Sequence, residues 1–177
     1  MAKEFLQGVF KPQNPQKYDG NVHQIIYRSS WELKAFKICD ETPQITKWSS
    51  EEVIIPYVSP VDGNMRRYYM DLKITVMVKG IPRVTLVEIK PFKETQPPKL
   101  TKNMKEATRQ RAIHTWAVNS AKWKATEEFC RRKGWHFTKW TERELDINGD
   151  QSLKNHMRKK KAANKLRKKK VTARFKR

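Results

Sequence analysis

The chain has 177 residues and a formal charge of +21, from 39 Lys+Arg against 18 Asp+Glu. That length suits one domain with its own core plus an appendage, and the charge points to a polyanionic partner, nucleic acid before an anionic membrane surface. No apolar run reaches the ~20 residues that span a bilayer, and the start MAKEFLQGVF has no signal-peptide pattern, so no membrane association is expected.

The charge is uneven. Residues 151–177 hold 13 basic side chains and no acid, whereas residues 1–150 hold 26 basic against 18 acidic. A basic body over 1–150 is therefore expected, followed by a polycationic tail over 151–177. The tail has too few apolar residues to fold alone and is expected to stay disordered until it meets DNA or an acidic protein surface.

In chain order, residues 1–27 read as loop, punctuated by Pro12, Pro15 and Gly20. SSWELKAFKICDE predicts a helix over about 30–41, ended before Pro43. Three strands are predicted at 52–58, 67–78 and 83–90, the last two joined by a tight turn at 79–82 marked by Gly80 and Pro82. After KPFKETQPPK one helix is expected from about 101 to 118. A second follows Asn119/Ser120 and stops at Gly134. WHFTKW then alternates like a short strand, and TERELD predicts a last helical turn. This order predicts a mixed sheet flanked by helices, an α/β or α+β domain. Cys39 and Cys130 fall in predicted helices and read as small core residues of a reducing compartment. The four histidines have no zinc spacing.

The stretch RVTLVEIK carries the chemistry. Side chains alternate along a strand, so Glu88 and Lys90 share one face with Val84 and Leu86. Such a pair is either the charged end of an edge strand or part of a site. With the turn at 79–82, paired positions sum to about 161, which sets Asp71 opposite Lys90 and Lys73 opposite Glu88. Asp71, Glu88 and Lys90 then cluster at the open end of the hairpin, provided the register does not slip by one. Glu32 lies in line with Ala35, Phe36 and Cys39 on one helix face. Ser29-Ser30-Trp31-Glu32 also fits a capping box, so Glu32 reads as a site acid, a cap, or both.

Two carboxylates, helped by a third and by a main-chain carbonyl near Ile89, make an oxygen site for Mg²⁺ or Mn²⁺. There a bound water becomes the nucleophile, and Lys90 positions it or stabilises the charge growing on the phosphorane. Arg28, Arg66, Arg67, Lys73 and Lys93 lie nearby as phosphate holders, or as plain solvated charges. Tyr68 and Tyr69 offer rings for base stacking. Trp116, Trp123 and Trp140 fit core positions, and His114 and His136 read as ordinary helix and strand residues.

The arrangement Glu32…Asp71-x16-Glu88-x-Lys90 resembles the PD-(D/E)xK nuclease superfamily, with Met70 where the superfamily's name has Pro. The stretches KPQNPQKYDG, YRSSWELKAF, RRYYMDLKI, TLVEIKP and WAVNSAKWKATEEFCRRKGWHFTKWTE are similar to the head-completion nucleases of T-even-type tailed bacteriophages. That resemblance covers most of residues 5–145. A weaker one is to the catalytic domain of TnsA-type transposon endonucleases. The resemblance implies a restriction-endonuclease-like core with a central mixed sheet, Glu32, Asp71, Glu88 and Lys90 as the catalytic set, and double-stranded DNA as substrate. It implies Mg²⁺ or Mn²⁺ held by Asp71, Glu88 and Glu32. It also implies a virion protein of the head–tail neck, assembled in the host cytoplasm beside portal and neck proteins, in a ring or in several copies. Three other readings stay open: a structural neck protein that keeps the nuclease fold, a TnsA-like endonuclease of a mobile element, and a ribosomal-type basic protein suggested by the tail alone.

Overall fold

In the computed structural model, which describes residues 7–146, the chain runs β1 (Gly8–Val9), β2 (Ile26–Tyr27), α1 (Ser30–Glu41), β3 (Ile45–Ser49), β4 (Ile54–Val58), β5 (Met65–Tyr69), β6 (Leu72–Val78), β7 (Ile81–Ile89), α2 (Glu106–Lys133) and β8 (His136–Trp140). The main sheet has the order β3-β6-β7-β8. Its first three strands are antiparallel, and β8 returns parallel to β7 after α2 has crossed over. The expected mixed sheet flanked by helices is what forms. Among the described residues no helix is long and apolar enough to cross a membrane. The tail over 151–177 lies outside the described residues.

The hairpin that carries the site is tighter than expected. Val78 pairs with Ile81, so only Lys79 and Gly80 form the turn, both at positive φ (51° and 77°). Two left-handed residues make the turn whose twist matches the strands it joins. Pro82 pairs with Met77 inside the ladder, at a point that β8 does not reach. The register therefore shifts by two residues from the expected one: Lys73 faces Leu86 instead of Glu88. Continued by one residue, this register sets Asp71 beside Glu88 instead of Lys90. A shift of two keeps every side chain on its expected face.

The sheet has a different layer on each face. On one, Leu72, Ile74, Val87 and Ile89 pack with Leu33, Phe36 and Cys39 of α1 and with Phe10, Tyr18 and Ile25 of the N-terminal segment. Trp48 is fully buried here, ringed by Phe10, Tyr18 and Phe36 at 4.7–6.0 Å between centroids. The segment over 1–27, expected as loop, is thus fastened down where it is described. The carboxylate of Asp40 helps by accepting the Gln13 and Asn14 N–H groups at 2.7 and 3.1 Å. On the other face, Leu86 packs with Cys130 of α2 and with Ile55, Tyr57, Tyr68 and Met70.

Three further expectations are corrected. Strand β3 has no expected counterpart, because only Ile45, Trp48 and Ser49 of ITKWS are buried and a bulge interrupts its pairing. The strand expected over 67–78 is two, since β5 pairs with β4 in a separate ribbon and the chain changes sheets at Met70 and Asp71. The two helices expected after the loop are one, α2, in which Asn119 is buried instead of capping. Packing overrides a local cap signal there. Gly134 ends α2 as expected, at φ 66°, with Trp135 N–H returning to the Cys130 carbonyl at 2.9 Å.

Candidate active site

The change of sheet at Met70 and Asp71 builds the site. Met70 is clamped on both sides, its N–H to the Val53 carbonyl at 2.9 Å and its carbonyl to the Glu51 N–H at 3.0 Å. Asp71 follows, and its Oδ2 accepts the Ile89 N–H at 2.7 Å, which ties it to β7 one residue beyond Glu88. Glu88 is only 3% exposed. Its Oε1 lies 3.3 Å from Lys90 Nζ, and its Oε2 accepts the Tyr68 hydroxyl. Asp71, Glu88 and Lys90 therefore meet where the sequence pattern placed them, on the α2 side of the sheet end.

The electrostatics of this cluster are unbalanced. Burial drives the Asp71 carboxyl well above the ordinary range, and the Glu88 charge adds to it. The Ile89 N–H and Lys90 oppose that rise, and Glu32 contributes a smaller push upward. For Lys90, burial alone would lower the ammonium, but Glu88 and Asp71 hold it above its usual value. Two acids thus share one close cation, in a setting that strengthens their mutual repulsion.

Glu32 forms the cap considered for it. Its own N–H bonds Ser29 Oγ at 3.1 Å, while its carboxylate accepts the Ser29 hydroxyl at 2.9 Å and the Arg28 N–H at 2.7 Å. That is a capping box reaching one residue further back. Its charge is nevertheless felt at Asp71, so the start of α1 borders the cluster.

The five candidate phosphate holders separate. Arg28 is exposed, paired with Glu51, and feels both Glu32 and Asp71, which places it at the rim. Lys73 is paired with Asp19 at 2.7 Å. Arg66 pairs with Asp62 at 2.6 Å near the tip of the β4–β5 ribbon. Arg67 is exposed on the ribbon face opposite the buried Tyr68. Lys93 is exposed in the turn Phe92–Thr95 just after Lys90.

Two neighbours escaped the sequence reading. Tyr68, considered for base stacking, is buried against Glu88, and burial followed by the Glu88 charge raises its hydroxyl far above the ordinary range. Tyr69 keeps an exposed ring. Lys122 of α2 lies 4.9 Å above the Tyr68 ring and 5.8 Å above Tyr57. Burial lowers its ammonium against the pull of Glu88. No local pattern marks Lys122, because its partner Tyr68 lies far away in the sequence. Of the tryptophans, Trp123 is buried and Trp116 and Trp140 are half-buried, and His114 and His136 are exposed.

Residues 42–142 match the family described as TnsA-like endonuclease N terminal, a span that holds Asp71, Glu88 and Lys90. The chain belongs to this endonuclease family and is a nuclease. It is also similar to the head completion nuclease of Enterobacteria phage T4, with 39% identity over 138 residues, covering 76% of this chain and 90% of that protein. No solved structure matches it.

Proposed function

We propose that the chain is a metal-dependent DNA nuclease that hydrolyses phosphodiester bonds at the cluster of Asp71, Glu88 and Lys90. The observation that carries this reading is the convergence of the buried Glu88, the half-buried Asp71 and a lysine at one sheet end. Among the described residues no three His, Cys, Asp or Glu side chains converge as a metal-binding group. Two carboxylates suffice for Mg²⁺, which takes one or two protein carboxylates and fills its octahedron with water and substrate phosphate. Asp71 and Glu88 would hold the ion, Mg²⁺ or Mn²⁺. When bound, the ion supplies charge neutralisation at the scissile phosphate and a lowered pKa for a water.

The protein groups divide the remaining work. The Ile89 N–H fixes Asp71, and the Tyr68 hydroxyl fixes one oxygen of Glu88, so each carboxylate is aimed before substrate arrives. Lys90, beside Glu88 Oε1, positions the attacking water or stabilises charge on the phosphorane oxygens. Glu32, both of whose oxygens serve the cap, adds negative charge at the border of the site, which favours a cation there. Arg28 and Lys93 border the site and are free to meet flanking phosphates once Arg28 exchanges Glu51 for DNA.

The similarity to a phage head completion nuclease supports a role in completing heads; the proposed place of action is the virion neck, where heads join tails. Portal and neck proteins are the expected partners, with several copies per assembly. Residues 1–150 would be the catalyst, and 151–177 a tail that adds affinity for DNA. The test is incubation of the purified chain with circular and linear duplex DNA, in Mg²⁺, Mn²⁺ or EDTA. Cleavage in either metal and none in EDTA is expected. Intact DNA in every condition, from a folded preparation, contradicts the proposal.

A further inference from the structure

Helix α2 has two unlike halves. Its buried residues are Asn119, Trp123, Thr126 and Cys130, all in the second half. Residues 106–118 contain no buried side chain, and over 106–115 only Arg109 and Ala112 are even half-buried. At 1.5 Å per residue, that first stretch extends about 15 Å without a core beneath it. Short polar pairs hold it instead: Gln110 to Glu106 at 2.6 Å, Arg109 to Glu106 at 3.7 Å, and Arg109 Nη2 to the Thr101 carbonyl at 3.2 Å.

The composition of this overhang is one-sided. Residues 99–115 carry Lys99, Lys102, Lys105, Arg109 and Arg111 against Glu106 alone. Helical periodicity continues the buried stripe of the second half into Trp116, Ala112, Arg109 and Lys105. The face that packs on the sheet further along is therefore basic where no sheet lies under it. Arg111 and Lys122 are eleven residues apart, three turns that return within about 20° of the same line and span roughly 16 Å. Lys122 lies on Tyr68, and Tyr68 bonds Glu88. The basic line thus leads to the catalytic end of the sheet.

Resting on the nuclease reading above, we propose that the overhanging start of α2 and the loop before it form a DNA arm. Lys102, Lys105 and Arg111 hold backbone phosphates of the duplex whose scissile phosphate lies at Asp71 and Glu88, while Arg109 fastens the loop to the helix. Sixteen ångströms covers about five phosphates of one strand at 3.4 Å each. Small side chains along the arm, Ala107, Thr108, Ala112 and Thr115, let a backbone approach closely. Five cations to one anion, continuous with the site, fit a polyanion and not an apolar protein surface.

The test uses the full chain with K102Q/K105Q/R111Q, which leaves the catalytic set untouched and keeps residues that suit helices. Duplex binding is measured in EDTA across a salt series, so that it reads without cleavage. The slope of log K against log salt should flatten by about 2–3, at 0.9 per lost contact, and Kd at 0.1 M salt should rise about tenfold or more. K102R/K105R/R111K should bind like the parent chain. Unchanged affinity and slope in the glutamine variant would overturn the arm and redirect it to an acidic protein. Should that variant lose helicity, lysine acetylation of the parent chain decides: duplex DNA should protect Lys102 and Lys105, and equal labelling with and without DNA overturns the proposal. Failure of the nuclease reading would show separately, as absence of metal-dependent cleavage by the parent chain.

Discussion

Asp40 and Glu88 are both buried acids, exposed by 1% and 3%, and they sit in opposite layers of the molecule. Asp40, in the α1 layer, accepts two backbone N–H groups and fastens the N-terminal segment. It has no competing acid in its hydrogen-bond set. Glu88, on the α2 face of the sheet, is placed beside Asp71, and Lys90, paired with Glu88, is felt by both acids. A buried carboxylate that is satisfied by fixed N–H dipoles is architecture. Two adjacent acids that repel each other gain nothing for the fold, and such pairs mark functional sites.

The difference predicts opposite responses to substitution. Asp71→Asn or Glu88→Gln should nearly abolish metal-dependent cleavage, a loss of about a hundredfold to a thousandfold, of the size removed with a key electrostatic group. DNA affinity should persist or tighten, because a negative charge near the phosphates is gone. Cleavage at the parent rate by either variant, free of host nuclease, would end the distinction between the faces. On the α1 side, Trp48→Ala should cost about 3–5 kcal/mol of unfolding free energy in urea titrations, as large-to-small changes in a filled core do. A Trp48→Ala chain of unchanged stability would show that the aromatic cluster is not the core described here.

Smaller effects sharpen the comparison. Tyr68→Phe leaves Glu88 Oε2 without its donor, and an unsatisfied buried acceptor costs about 1–3 kcal/mol. Cleavage should fall in the same variant while the salt slope of DNA binding stays put; full activity would show that Glu88 needs no such orientation. Glu32→Gln keeps the capping pattern, so stability should hold within about 0.5 kcal/mol, the scale of substitutions that leave special features intact. If the Glu32 charge helps to hold the cation at the site, activity falls strongly. If activity survives, Glu32 is a cap alone.

The site was more legible in the sequence than the fold around it, and the reason is parity. The expected hairpin register was off by two residues, yet Asp71, Glu88 and Lys90 kept a common face because side chains alternate with period two. Helix α1 was readable because Ser29, Glu32 and Pro43 mark its ends locally. What failed depends on distant partners. The chain's change of sheet at Met70 and Asp71 lies inside a run with no Gly or Pro, where Asp71 is a weak turn signal, so the pairing of β5 with β4 reveals it. Strand β3 is short, bulged and half polar, and it exists because β6 and the aromatic cluster cover it. Asn119 and Ser120 looked like a helix start, but the packing of α2 carries the helix through them. Tyr68 and Lys122 are 54 positions apart and meet only in three dimensions.

The most direct measurement is Mn²⁺ binding by electron paramagnetic resonance, without DNA, for the parent chain and for D71N/E88Q. The parent chain should take up Mn²⁺ that Mg²⁺ displaces, and the double variant, folded by circular dichroism, should lose that uptake together with all cleavage. Equal Mn²⁺ binding by both chains, or cleavage surviving in the double variant, would contradict Asp71 and Glu88 as the residues that hold the metal.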